Sequence, residues 1–325
     1  MPERKATLSS RINRRQGLGL LAATRIAEPA LGATTPSMPT LKGPYIDLTT
    51  GEGNMLAMAR INGDLDLSKI KHGWYRGVLW GFRPGEAGRD LLGVRGMGSA
   101  RLIPFTDKPG YTLVRRECGY YYDLKTGETV DWWVNPYNDE KVEVLHIANP
   151  QINAPIEPVV RGARLYDDPA EAAKAPEPFV LDWSVAGDGA FTEQRSHLWA
   201  KNPLDPMVWK RESSGPMIRI TDSTSYVVKL SDMQNKALTT VEHTGTWVHV
   251  RPWQPFMLMG SAEGNCSFRC FTGSASKLDD IPQDIVKLVE KRNPEFLDAP
   301  KKIEPSVPGL VRFMRDRKPA SPKAG

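Results

Sequence analysis

The chain has 325 residues, 40% hydrophobic and 25% charged, with 9 tryptophans and a formal net charge of +5, a composition that excludes a disordered or fibrous protein and permits a sizeable core. The charge is uneven: residues 1–38 carry +4, residues 301–325 carry +5, and the body between them is left at −4. A nucleic-acid interface needs its basic stripe on the folded domain, so nucleic acid is excluded as a partner.

At the N-terminus, Arg14-Arg15-Gln16-Gly17-Leu18-Gly19-Leu20-Leu21-Ala22-Ala23 sets a twin arginine before a short apolar run, and Ala30-Leu31-Gly32-Ala33 follows as a small-residue cleavage candidate. This is the layout of a twin-arginine export leader, with a disordered basic tail as the alternative. Gly17-Leu18 and the interrupting Arg25 depart from the usual pattern. Export predicts a periplasmic or secreted protein, its absence a cytoplasmic one. No apolar run reaches the ~18 residues of a membrane span, so none is expected. The predicted organisation is a leader or basic tail over 1–38, a single β-rich domain over 39–300 and a disordered basic tail over 301–325.

From Ile46 onward, short runs rich in β-branched and aromatic residues alternate with Gly, Pro, Asn and Asp clusters. They predict an all-β fold, mainly an antiparallel barrel or sandwich, with strands over 71–82, 90–105, 111–123, 128–134, 140–148, 179–185, 189–200, 216–221, 244–252 and 265–273. Asp123-Leu124-Lys125-Thr126-Gly127-Glu128 and Ala186-Gly187-Asp188-Gly189 read as hairpin turns. The proline-rich stretch from Pro150 to Pro178 reads as a long connection, a length often reserved for function. Pro282 ahead of Ile285, Leu288 and Val289, with Pro294 beyond, predicts a short C-terminal amphipathic helix over 281–292. Cys118, Cys266 and Cys270 lack the paired spacing of a zinc site and are too few for a disulfide framework, so they are expected as free buried thiols.

Because successive strand residues point to opposite faces, three faces resemble one another. One carries His72, Trp74, Arg76, Val78 and Trp80; a second carries Phe191, Glu193, Arg195, His197 and Trp199; a third carries Trp247, His249, Arg251 and Trp253. Either they are solvated faces with arginines over tryptophan rings, or they line a barrel lumen as the aromatic wall of a pocket. His146 shares a predicted face with Val142, Val144 and Ala148 and is either a satisfied core histidine or an acid/base group. Asn149 follows it closely. Arg115, Glu117, Tyr121 and Asp123 share one strand face.

No phosphate-binding glycine loop, nucleophile-elbow serine, His-Glu-x-x-His pair or dinucleotide fingerprint occurs. No metal and no cofactor are therefore expected.

Arg116-Glu117-Cys118-Gly119-Tyr120-Tyr121, Asp123-Leu124-Lys125-Thr126-Gly127-Glu128, Asn135-Pro136, Val142-Glu143-Val144-Leu145-His146-Ile147-Ala148-Asn149-Pro150, Asn202-Pro203-Leu204-Asp205-Pro206 and Arg211-Glu212-Ser213-Ser214-Gly215 together resemble the uncharacterised bacterial and fungal family named domain of unknown function 1838, over about residues 46–300. The resemblance implies no established reaction. It implies a leader in many members, and it points to Asn202, Arg211 and Glu212 as a polar connection that closes one end of a pocket or merely caps its own loop.

Aromatic walls with histidine, and none of the signatures above, predict a cofactor-independent lyase, dehydratase or isomerase that moves a proton on a small hydrophobic or aromatic molecule. His146 or His197 would be the acid/base, with Glu117, Tyr121 and Arg211 orienting an oxygen. Trp74, Trp133, Trp199, Trp247 and Trp253 would supply walls, and Arg76, Arg195, Asn149, Asn202 and Glu212 polar contacts. The alternative is a secreted or periplasmic small-molecule carrier. The two separate on whether a histidine or carboxylate lies in the pocket within hydrogen-bond reach of a tyrosine, arginine or asparagine.

Overall fold

The computed structural model describes residues 40–160, 175–307 and 309–321. The expected export leader lies outside the described residues, as does part of the proline-rich connection. No helix among the described residues is long and apolar enough to cross a membrane.

The first helix among the described residues was not anticipated: α1 (Gly51–Asn62), capped by the Thr50 hydroxyl, which accepts from the Gly53 amide at 3.0 Å. Gly51 and Gly53 hide it from propensity, and its burial runs from Asn54 through Ala57, Met58, Ala59, Arg60 and Ile61, leaving no wide polar stripe to mark it. Strands β1 (Lys71–Phe82), β2 (Arg89–Pro104) and β3 (Tyr111–Tyr122) follow as expected. Next come β4 (Trp132–Asn135), β5 (Glu140–Glu143), β6 (Ile147–Ile156), β7 (Val159–Val160), β8 (Glu177–Pro178) and β9 (Ser184–Ala186). The second half holds β10 (Gly189–Lys201), β11 (Met217–Lys229), β12 (Thr244–Arg251) and β13 (Asn265–Ala275). Three helices complete it: α2 (Leu230–Gln234), α3 (Gln283–Arg292) and α4 (Gly309–Asp316).

Nine strands form one curled, half-barrel sheet in the order β6-β3-β2-β1-β13-β12-β11-β10-β9, all neighbours antiparallel. Two meanders thus meet where β1 pairs with β13. Strand β6 runs through Pro150 and Pro155, which had read as a connection. It is an edge strand, and an edge tolerates residues that cannot donate to a ladder. Gly96 and Gly119 admit the Tyr75 side chain, whose atoms would lie 2.5 and 2.1 Å from a Cβ at those positions.

Three apolar clusters surround the sheet. Ile61, Leu102, Tyr226 and Val228 meet under α1 at one end of the concave face; Tyr75, Leu79, Phe256 and Phe268 meet at the other. On the convex face, Met97, Cys118 and Tyr120 pack against Ile285 and Val289 of α3. The three cysteines are free and buried, and burial pushes the Cys266 thiol up to about 11 and those of Cys118 and Cys270 to about 12.

The segment after residue 300, expected as a disordered tail, carries α4 and a return strap. Phe313 of α4 is buried and packs on Trp209 with ring centroids 5.5 Å apart. Arg312 donates to the carbonyls of Ala148 at 2.7 Å and His146 at 2.6 Å. Basic residues that looked like a solvated run are thereby consumed as anchors.

Candidate functional site

Between the two concave clusters lies a cavity of about 690 Å3, well inside the range of small-molecule sites. Register decides which side chains reach it. Tyr75 opposes Thr272, and Thr272 opposes Gly245 on β12, so Gly245, Trp247, His249 and Arg251 lie on the concave face. His249 opposes Asp222, and Trp247 opposes Thr224. On the other wall Gly98 opposes Glu117 and Ala100 opposes Arg115. The β3–β6 pairing shifts between Arg115 and Glu117, which brings Asn149 opposite Glu117. Gly309, Leu310, Arg312 and Phe313 of α4 close one side.

On the β11–β12 wall, the Trp247 indole donates to Asp222 Oδ1 at 2.6 Å, and Asp222 Oδ2 lies 3.5 Å from His249 Nδ1. Burial opposes ionisation of Asp222, but the approach of His249, the Trp247 hydrogen bond and the charge of Arg115 outweigh it and hold the carboxyl below its ordinary value. The imidazole of His249 sits against Trp247 and edge-on to Phe268, with centroids 5.5 and 5.8 Å away. Across the cavity, Asn149 Nδ2 donates to Glu117 Oε2 at 3.4 Å. A carboxylate within hydrogen-bond reach of an asparagine is therefore present. Burial keeps the Tyr121 phenol protonated, with its pKa raised.

At the α1 end, the Lys71 ammonium donates to the Arg60 carbonyl at 3.0 Å, to Thr240 Oγ1 at 2.8 Å and to the Val241 carbonyl. His243 Nδ1 lies 2.9 Å from the Ser274 hydroxyl, whose oxygen also accepts the His243 amide at 3.2 Å. Burial, with the Lys71 charge beside it, pushes His243 down to about 3.

The predicted site residues separate into three groups. Glu117, Tyr121, Trp74, Asn149, Trp247 and His146 all border the cavity. Trp74 does so at its strand, since its ring packs with the α3 cluster on the convex side. His146 follows β5 in an unpaired stretch rather than standing on a strand face. Its Nδ1 accepts the Tyr121 amide at 3.1 Å and its Nε2 faces Asp131 Oδ1 at 3.0 Å. Both nitrogens are engaged in holding backbone and loop together, which is the satisfied-histidine reading. Burial holds its pKa below the ordinary value despite Asp131.

The second group stands on the convex face. Arg76 pairs with Asp284 of α3 at 2.5 Å. Glu193, Arg195, His197 and Trp199 alternate with the cavity residue Leu198 and its neighbours, so they point away from it. Arg195 pairs with Glu193, His197 Nδ1 contacts Thr221 Oγ1 at 2.9 Å, and Trp199 is 48% exposed. One face of the three that looked alike thus enters the cavity, that of Trp247, His249 and Arg251.

The third group holds loops. Asn202 donates to Ser213 Oγ and the Gly215 carbonyl and accepts the Leu204 amide. Arg211 pairs with Glu140 and donates to the Ser321 carbonyl at 3.1 Å, while Glu212 accepts the Ala320 amide at 2.6 Å. These residues latch the return strap. Trp253 is buried, its indole on the Ala262 carbonyl at 3.0 Å, and Trp133 packs against the same cluster.

Asp222 was missed because the strand expected over 216–221 stops one residue short of it, whereas β11 runs to Lys229. The signal was the alternation Ile218, Ile220, Asp222, Thr224, Tyr226, which continues one face of β11 to Lys229. Among the described residues no cluster of three or more potential metal ligands occurs.

The chain belongs to the family described as protein of unknown function DUF1838, whose model matches residues 69–308. No curated protein matches the sequence. Among solved structures, an AttH candidate from Nitrosomonas europaea is similar at 11% identity with a TM-score of 0.16, over 65% of this chain and 53% of that one. This chain thus spans about half of that protein's length.

Proposed function

We propose that the protein is an enzyme that moves a proton on a hydrophobic small molecule held in the half-barrel cavity, as a lyase, dehydratase or isomerase. The observation that carries this reading is Asp222, hydrogen-bonded to Trp247 and 3.5 Å from His249 Nδ1 in an aromatic-walled cavity. His249 Nδ1 is buried without a hydrogen-bond partner and Asp222 Oδ2 stands 3.5 Å from it, so a small closure of that gap when a ligand binds would fix the tautomer that leaves Nε2 as the base. Glu117, oriented by Asn149 on the opposite wall, is the second proton-carrying group. Tyr121, a protonated phenol, supplies a donor for a substrate oxygen. His249 thus takes the role first expected of His146 or His197.

A carrier for apolar ligands gains nothing from two carboxylates and an imidazole in its wall, each of which costs desolvation. Side chains alone suffice for the chemistry proposed, so no cofactor forms part of it. The twin arginine Arg14-Arg15 supports a periplasmic or secreted site of action.

The test is untargeted. Extracts of the source organism are incubated with the wild type, Asp222→Asn and His249→Gln, and masses are followed together with any ligand retained on the protein. The wild type is expected to convert a compound that both variants leave unconverted. Conversion that survives fully in both variants, or a ligand retained by the wild type without any mass change, would overturn the reading, the latter in favour of a carrier.

A further inference from the structure

Six described arginines have a buried Nε without an acceptor: Arg60, Arg76, Arg95, Arg101, Arg251 and Arg312. Five of them are anchored through their terminal nitrogens. Arg60 reaches four carbonyls, Arg76 and Arg95 reach Asp284, Arg101 reaches the carbonyls of Leu67 and Ser68, and Arg312 those of His146 and Ala148. Arg251 differs. It borders the cavity, and no hydrogen bond or ion pair forms from any of its nitrogens among the described residues. Its charge acts on the Tyr121 phenol and the Cys266 thiol, both protonated at neutral pH, and the Glu212 carboxylate, which borders a small side pocket together with Arg251, is engaged by the Ala320 amide.

The Nε of Arg251 is buried without an acceptor, which is costly because that donor loses water and regains nothing, and its half-buried guanidinium is held by no carboxylate or carbonyl among the described residues. Arg115, the other cavity arginine without a hydrogen bond, is exposed and faces the charge of Asp222. Three arginines at the cavity wall (Arg115, Arg251 and Arg312) outnumber the carboxylates Glu117 and Asp222, and Lys71, whose pKa burial lowers to about 7, adds part of a further charge. Lys71 and Arg312 are committed to backbone carbonyls.

We infer that the ligand is an amphipathic carboxylate and that Arg251 receives its anionic group, with the apolar skeleton lying toward Phe268, Trp247 and Tyr75. This rests on the proposed reading of the cavity as a small-molecule site. A guanidinium fork matches a carboxylate in two parallel hydrogen bonds. Arg251 and His249 lie two residues apart on one strand face, about 7 Å along it. The acid/base couple therefore addresses the end of the ligand that bears the carboxylate.

Two probes of one shape test this, cinnamate and the neutral cinnamamide, titrated calorimetrically into the full chain at low salt. The wild type is expected to bind cinnamate ten- to a hundredfold more tightly than cinnamamide. Arg251→Met should abolish that preference while retaining affinity for cinnamamide, and Arg251→Lys should restore part of it. If the methionine variant does not fold, Arg251→Gln gives the same reading. Equal affinities in the wild type, no binding of cinnamate, or a preference that survives in Arg251→Met and disappears in Arg115→Met overturns the inference. Binding is read without turnover, so failure of proton transfer in the Asp222 and His249 variants is a separate result.

Discussion

The Trp247 indole donates to Asp222 across the β11–β12 pair, on the same side of the sheet as His249, which directly opposes that carboxylate. In the proposed reaction Trp247 is thereby a positioning residue as well as a wall. Trp247→Phe keeps most of the ring and deletes the donor. Loss of a hydrogen bond to a charged group costs about 1.5–3 kcal/mol, so kcat/KM on an identified substrate should fall roughly ten- to a hundredfold. With one stabilising contact gone, the Asp222 pKa rises. The acid limb of the pH–rate profile should then move to higher pH, and an unmoved limb would remove Trp247 from this role.

His146 is expected to behave as a structural residue. His146→Ala deletes the acceptor of the Tyr121 amide and the partner of Asp131, two interactions worth about 1 kcal/mol each, with more lost where a donor is left buried. Chemical denaturation should show a loss of about 2–3 kcal/mol, with kcat on the identified substrate little changed. His249→Gln should show the reverse, a small change in stability and a loss of turnover of about a hundredfold or more.

His243 makes stability depend on pH. Its pKa is about 3 when folded against about 6.5 unfolded, so between those values the unfolded chain binds the extra proton and stability rises with pH. Lowering the pH from neutrality toward 3 should therefore lower stability, by up to about 1.4 kcal/mol per unit from this group. Denaturation midpoints of His243→Asn should be less steep than wild type over that window. A parallel pair of curves would show that His243 is not the titrating group.

The strap should be separable from the sheet. Arg211→Ala breaks the Glu140 pair and the hydrogen bond to the Ser321 carbonyl, and Arg312→Ala frees α4 from Ala148 and His146. The double variant is expected to keep its far-ultraviolet spectrum while binding a solvatochromic apolar dye more strongly. Proteolysis should cut first near residue 309. Wild-type dye binding in the double variant would mean that α4 is held by Leu310 and Phe313 alone.

Most of the sheet was legible, because alternation and turn chemistry are local: β1, β2, β3, β10, β12 and β13 fall within a few residues of expectation. What escaped was decided by neighbours. The helix α1 is buried nearly all round, β6 carries prolines that an edge permits, and α4 is ordered only by what it covers. The site was half legible for a related reason. Alternation divides a strand into two faces but does not say which is concave, so Phe191–Trp199 and Trp247–Arg251 looked equivalent until pairing set one outside and the other in. Asp222 was lost when a strand was ended too early, and the roles of Arg211 and Glu212 depend on residues more than a hundred positions away.

An open sheet that is shut by its own C-terminus has a property that a closed barrel lacks. Its volume is set by one detachable piece of chain. Substitutions at Leu310, Val311 and Phe313 would resize the chamber and leave the ladder of strands, with the Asp222–His249 couple, in place. The size of the cavity in such a fold can therefore change by editing one short helix, Gly309–Asp316, so long as the anchors made by Arg312 are kept.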